Sequence, residues 1–194
     1  MVAKILSNSD VQQRIRAHLR RVWSAHEYLE KSWPSGPILR TIPHFRVGVA
    51  LSRSGGLNAY TTIGCFSIDQ KAHTRHEFFI LSPWESQDHL ETLAMLANYH
   101  ADARFRLGLG RVVGIGGPWM PGSLCDHFLI SLPYTHGPNL EWLRLETICI
   151  RFLWALPITS REAAFAELHG FVALEEKFEE AGLDYLNPNR QSIV

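Results

Sequence analysis

Ten histidines are more than a chain of 194 residues usually carries. They are the first residues to ask about chemistry. The densest group is His73-x-x-His76-Glu77. A zinc protease motif places two histidines four apart on a helix, with a glutamate between them. This spacing differs. On a strand, residues three apart face opposite sides, so the two imidazoles diverge. No metal and no other cofactor is expected. Asp126-His127 and His100-x-Asp102 are further histidine–carboxylate neighbours. Adjacent residues of a strand point apart, so Asp126 and His127 are not read as a ready acid–base pair. Such neighbours more often share a local hydrogen bond than do catalysis. His76, Glu77, Asp126 and His127 remain the candidates if the chain is a metal-dependent or small-molecule enzyme.

Other catalytic signatures are missing. Gly108-Leu109-Gly110-Arg111-Val112-Val113-Gly114 has the look of a dinucleotide fingerprint. That fingerprint must follow a strand and open a helix, so that helix N–H groups face the pyrophosphate. Here the glycines follow a predicted helix and precede strand-like sequence. A helix end followed by a tight loop is the expected structure. There is no Gly-Lys-Ser/Thr triplet and no G-x-S-x-G elbow. Cys65, Cys125 and Cys149 form an odd set without a CxxC pair. They read as reduced, mostly buried thiols. Cys65 and Cys149 lie in apolar runs, with no basic neighbour in sequence to activate them. A non-enzymatic chain is expected.

Large amphipathic side chains on rigid loops suggest recognition instead. Trp119-Met120 sits in a Gly/Pro-rich loop, Tyr134 lies in Pro133-Tyr134-Thr135-His136-Gly137, and Trp84 follows Pro83. The competing reading is that these rings close the ends of a core. An exposed sheet edge would offer a second device, because an incoming peptide can extend a sheet.

The elements that must position these residues alternate between helix and strand. A first helix is predicted over 9–30, with Ser9 and Gln12 at capping-box spacing. Val11, Ile15, Leu19, Val22 and Leu29 form its apolar stripe, and Trp33-Pro34-Ser35-Gly36-Pro37 ends it. Strands over 45–51, 57–68 and 76–81 suit an antiparallel meander, with Gly64 as a bulge. A helix opens at Ser86 or Asp88 and ends by Gly108. Short strands follow over 112–115, 128–132 and 148–156, with a long connection from Pro133 to Glu146. Thr159 or Ser160 caps a helix that Gly170 interrupts, and a second amphipathic helix ends at Gly182. The tail from Asp184 is ordered only if it docks. This order predicts a single α+β domain over 1–194, with a mostly antiparallel or mixed β-sheet flanked by α-helices.

Lysine plus arginine equal aspartate plus glutamate, 19 each, so the net charge is zero. A general nucleic-acid-binding surface needs a basic excess. No apolar run reaches membrane-spanning length and the start is too polar for a signal peptide, so a cytoplasmic protein is expected. The charge is uneven, however. Arg14, Arg16, Arg20 and Arg21 cluster near the start, and Glu175, Glu176, Glu179 and Glu180 near the end.

Several segments together resemble the suppressor of fused (SUFU) domain. They are Tyr60-Thr61-Thr62-Ile63-Gly64-Cys65-Phe66-Ser67-Ile68-Asp69, Glu77-Phe78-Phe79-Ile80-Leu81, Leu93 to Tyr99, and Gly110-Arg111-Val112-Val113 through Gly117-Pro118-Trp119. Phe128-Leu129-Ile130-Ser131-Leu132-Pro133-Tyr134 and Leu156-Pro157-Ile158-Thr159-Ser160-Arg161-Glu162 continue the match. The resemblance covers about 40–190 and is closest to stand-alone bacterial members.

The resemblance implies a protein-binding domain. The eukaryotic relative clamps a peptide of a transcription factor as an added strand against a second domain, which is not expected here. Bacterial relatives are thought to be immunity proteins that neutralise partner toxins of polymorphic toxin systems. The family's partner-binding tyrosine matches Tyr99. Its acidic contact falls near Gly110-Arg111, where this chain has no carboxylate. Tyr99, Arg111, Trp119 and Tyr134 are therefore the candidate partner-binding residues, and the partner is a toxin or a regulatory protein.

Overall fold

The computed structural model describes residues 6–33, 36–69 and 71–194. They pack as two compact units. Unit 1 comprises residues up to Leu107 together with Leu132–Leu153, and unit 2 comprises Gly108–Ser131 and Trp154–Val194.

Unit 1 opens with α1 (Asn8–Val22). Ser7, not Ser9, caps it: its hydroxyl accepts from the Asp10 amide and the Asp10 side chain answers at the Ser7 amide. Val11, Ile15 and Leu19 form the buried stripe. The helix does not run to residue 30. Trp23 closes it by donating to the Leu19 carbonyl, and His26–Ser32 becomes β1. Exposure alternates along its first five residues, and the strand finds a partner in β2 (Arg46–Ser52), with Leu29 opposite Val49. Cross-strand pairing there outweighs the helical spacing of Val22 and Leu29. Of the predicted breaker, Pro34 and Ser35 lie outside the described residues; a short helix α2 (Ile38–Thr41) follows.

The predicted meander is present. β2, β3 (Asn58–Ile63) and β4 (Thr74–Ser82) pair antiparallel in sequence order. Gly64 is not a bulge. At φ +132° it turns the chain from β3 into a 3-10 turn, Cys65–Ser67, and a Cβ there would stand 2.9 Å from Ile42. α3 (Asp88–Ala101) buries Leu90, Leu93, Leu96 and Ala97. It ends at Ala101, seven residues before Gly108, and the Asp102 amide donates to the Tyr99 carbonyl.

The connection after Pro133 holds two elements that sequence pattern missed, α4 (Gly137–Glu141) and β7 (Trp142–Arg144). β7 pairs antiparallel with the start of β8 (Cys149–Thr159). His18 of α1 bonds the Leu140 carbonyl at 3.2 Å and stacks on Phe152, which holds this segment in unit 1.

In unit 2, β5 (Val112–Gly114) pairs with β6 (Cys125–Ser131), and β6 pairs with the second half of β8, all antiparallel. Thr159 ends β8 and caps α5 (Ser160–His169) through a box with Glu162. Gly170, at φ +88°, breaks the chain into α6 (Phe171–Ala181), and Gly182 ends that helix in the left-handed conformation.

The tail docks. Arg190 donates to both Glu162 carboxylate oxygens, at 2.6 and 2.7 Å, and to the Pro157 carbonyl. Tyr185 packs edge-on against Trp154 at 4.9 Å. Among the described residues, no helix is long and apolar enough to cross a membrane.

Candidate protein-recognition surface

The residues with enzymatic potential are taken up by structure. Glu77 points inward from β4 and is fully buried. Its carboxylate accepts from the Thr62 hydroxyl at 2.5 Å and from the amides of Gly64, Cys65 and Phe66 at 2.8, 3.3 and 3.2 Å. Thr62 Oγ1 in turn accepts from the Phe78 amide at 2.8 Å. Burial pushes the Glu77 carboxyl up to about 7, against the pull of these four donors. The group is a buried staple that holds the 3-10 turn, with no open face for a substrate.

His76 turns to other neighbours, with its ring 5.9 Å from His100 and 6.5 Å from Phe78. Burial lowers the affinity of both histidines for protons, His100 to about 4. Among the described residues, no group of three or more His, Cys, Asp or Glu is arranged to hold a metal ion.

Asp126 and His127 correct an expectation. They do not point apart: His127 Nδ1 lies 2.7 Å from Asp126 Oδ1. The register of β6 against β8 shifts between Cys125 and His127, and this bulge breaks strict alternation. Ser160 donates to the other Asp126 oxygen. The order Ser–Asp–His puts the acid in the middle. A nucleophilic triad needs the imidazole against the hydroxyl, so this chain of bonds does not activate Ser160.

The glycine loop is filled from within. The Gly110 amide donates to the Ile130 carbonyl at 2.7 Å, and the Ile130 amide donates to the Arg111 carbonyl at 2.8 Å. Gly110 has φ +81°, and a Cβ on it would stand 2.3 Å from the Phe171 ring. The glycine gives room to an aromatic ring, not to a pyrophosphate.

The exposed aromatics are the open surface. Tyr99, in the last turn of α3, is 37% exposed, and Phe105 just beyond it is 43% exposed. Their rings meet edge to face at 5.8 Å. The Arg104 guanidinium lies 5.3 Å over the Phe105 ring and is held by Asp102 at 2.6 Å. The result is a small apolar step with a cation on top, carried on the end of a helix. Phe105 and Arg104 were not singled out from sequence; their position in a predicted helix end concealed a tight turn, in which the Phe105 amide donates to Asp102.

Tyr134, 58% exposed, belongs to the same unit, as does the half-exposed Trp84. Trp119 is different. It is 3% exposed, with its amide bonded to the Cys125 carbonyl, so its ring is buried and not on the open surface. Arg111 is exposed in unit 2.

A sheet edge is also available. β1 ends the strand order of unit 1, and its sequence carries Glu27, Glu30 and Lys31. Arg16 of α1 reaches Glu30 at 2.9 Å. Charges of this kind guard an edge against indiscriminate pairing.

A further neighbour pair escaped the sequence. Cys149 is half-buried rather than buried, and it does have a basic neighbour: its Sγ is 3.7 Å from His73 Nε2. The two are 76 residues apart in sequence.

Comparison with known proteins agrees with this architecture. The family model described as Suppressor of fused protein (SUFU) matches residues 44–191. No curated protein matches the sequence. Among solved structures, the chain is similar to a SUFU homolog from Neisseria gonorrhoeae, with a TM-score of 0.84 and 40% identity over 96% of this chain and 98% of that one. It shares its fold with a chain of the Sufu–Fu complex, at a TM-score of 0.66 and 12% identity, covering 94% and 91% of the two chains. It likewise shares the fold of Drosophila Suppressor of Fused, at a TM-score of 0.68 and 14% identity, covering 92% of this chain and 50% of that one. The α+β fold, the matched 148-residue span and the near full-length likeness to a bacterial homolog place the chain in the suppressor of fused family.

Proposed function

We propose that this chain is a non-enzymatic protein-binding domain and, within that class, an immunity protein that binds and neutralises a partner toxin in the cytoplasm. The observation that carries the binding reading is the Tyr99–Phe105 step with Arg104 above it. Exposed aromatic rings with a neighbouring arginine are the usual energetic centres of protein interfaces. Holding them on a helix end lowers the entropy lost on docking. A structural neighbour solved as a Sufu–Fu complex supports protein binding as the business of this fold. The immunity reading draws its support from the likeness to a bacterial homolog across nearly the whole chain. Charge balance, and the occupation of Glu77, Asp126 and His127 by internal bonds, favour binding over catalysis.

Co-expression with the product of the adjacent gene tests it. A stable complex together with restored growth supports immunity. Absence of both sinks it. Recovery of a non-toxic endogenous partner on the same Tyr99 face would support the second reading, a regulatory adaptor, which the Sufu–Fu neighbour favours.

A further inference from the structure

His73 Nδ1 lies 3.1 Å from the Thr147 carbonyl oxygen. A carbonyl can only accept, so Nδ1 carries the proton. In the neutral ring Nε2 is then the bare nitrogen, and it faces Cys149 Sγ at 3.7 Å. The geometry is fixed by backbone as well: the Cys149 amide donates to the His73 carbonyl at 2.9 Å, and Cys149 pairs with Arg144 across β7 and β8. A thiol, a base within reach of it and a third group orienting that base are the three parts of an activated nucleophile.

The other two thiols are built differently. Cys65 and Cys125 are buried, and burial pushes both thiols up, away from the reactive thiolate. Cys149 and His73 are both open to solvent, the cysteine in part. Nothing in the binding reading uses either residue.

We propose that Cys149, with His73 as its base, is a site of covalent modification by soft electrophiles, hydroperoxides foremost. The thiol proton passes to His73 Nε2. The sulfur attacks the nearer peroxide oxygen, an S–O bond forms and the O–O bond breaks. The leaving alkoxide or hydroxide takes the proton back from the imidazolium. Cysteine is oxidised by two electrons to the sulfenic acid, and the peroxide is reduced to an alcohol or water. With Cys65 and Cys125 buried, the sulfenic acid is left for a small external thiol, which would displace water to give a mixed disulfide.

The test reacts the full chain with iodoacetamide at neutral pH and maps the modified peptides by mass spectrometry. Cys149 should be labelled about tenfold or more faster than free glutathione in the same buffer, while Cys65 and Cys125 label only after denaturant is added. His73→Gln should reduce the Cys149 rate to that of glutathione with an unchanged melting temperature. Hydroperoxide followed by dimedone should leave its adduct on Cys149 alone, and Cys149→Ser should carry none. A Cys149 rate no faster than glutathione overturns the proposal, as does an equal rate in His73→Gln or a dimedone adduct on another cysteine. If His73→Gln unfolds, the comparison with glutathione in the unaltered chain still decides. These outcomes are independent of toxin binding.

Discussion

Arg190 lays its guanidinium across both carboxylate oxygens of Glu162, and both side chains are removed from water. Glu162 also accepts from the Thr159 and Ile193 amides, so one carboxylate joins a helix cap to the tail. Removing one member of a buried pair strands the other's charge. Arg190→Met should therefore destabilise the chain by about 3–5 kcal/mol. Arg190→Met with Glu162→Gln should recover part of that loss. Urea denaturation of the three proteins checks both statements.

Tyr99 and Trp119 separate binding from packing. Tyr99→Ala should weaken partner binding at least tenfold, about 1.4 kcal/mol, while stability changes by less than about 1 kcal/mol. Trp119→Ala should cost about 3–5 kcal/mol of stability because its ring is interior. Calorimetric titration and thermal melting distinguish the two. A large stability loss in Tyr99→Ala would reassign that ring to the core.

Stability should fall in acid. Burial lowers His89 and His100 to about 4, below their ordinary 6.5. Their contribution is present above pH 6.5 and lost as pH falls through 4. Glu77 works the other way: raised to about 7, its contribution is full below pH 4.5 and lost as pH rises through 7. Between pH 4.5 and 6.5 two histidines oppose one carboxyl, so unfolding takes up about one net proton and stability rises with pH. His100→Phe should flatten the urea midpoint against pH, and Glu77→Gln should steepen it.

Gly110→Ala should destabilise unit 2 by about 2 kcal/mol or more. It combines a positive φ with a methyl group pressed into the Phe171 ring. Gly110→Ala with Phe171→Leu relieves the second cost but not the first, so it should recover only part of the stability. Thermal melting of the two variants checks this.

Local signals in the sequence were faithful. Thr159 with Glu162, Gly182 after an amphipathic run, and the strand-forming composition of β2, β3 and β4 each specify their own element from a few neighbouring residues. Together they support the α+β fold class and the family match. What was hidden depends on partners far along the chain. β1 looks helical until β2 is placed beside it. The register shift at Asp126 exists only against β8. At the candidate surface, Tyr99 was singled out only through the family resemblance, and Phe105 and Arg104 were not singled out at all, because the helix stops earlier than its glycine suggests. His73 and Cys149 meet across 76 residues that carry no shared motif.

The docked tail also sets a timetable for synthesis. β2, β3 and β4 follow one another along the chain, so the meander of unit 1 can close soon after its last strand is made. Unit 2 cannot do this. Its first stretch, Gly108–Ser131, must wait for Trp154 onward, and Glu162 meets its counter-charge only when Arg190 arrives 28 residues later. At about 5–20 residues per second, that is a delay of a second or more in which the carboxylate lacks its counter-charge. The two units thus mature in sequence, and Arg190 completes the second.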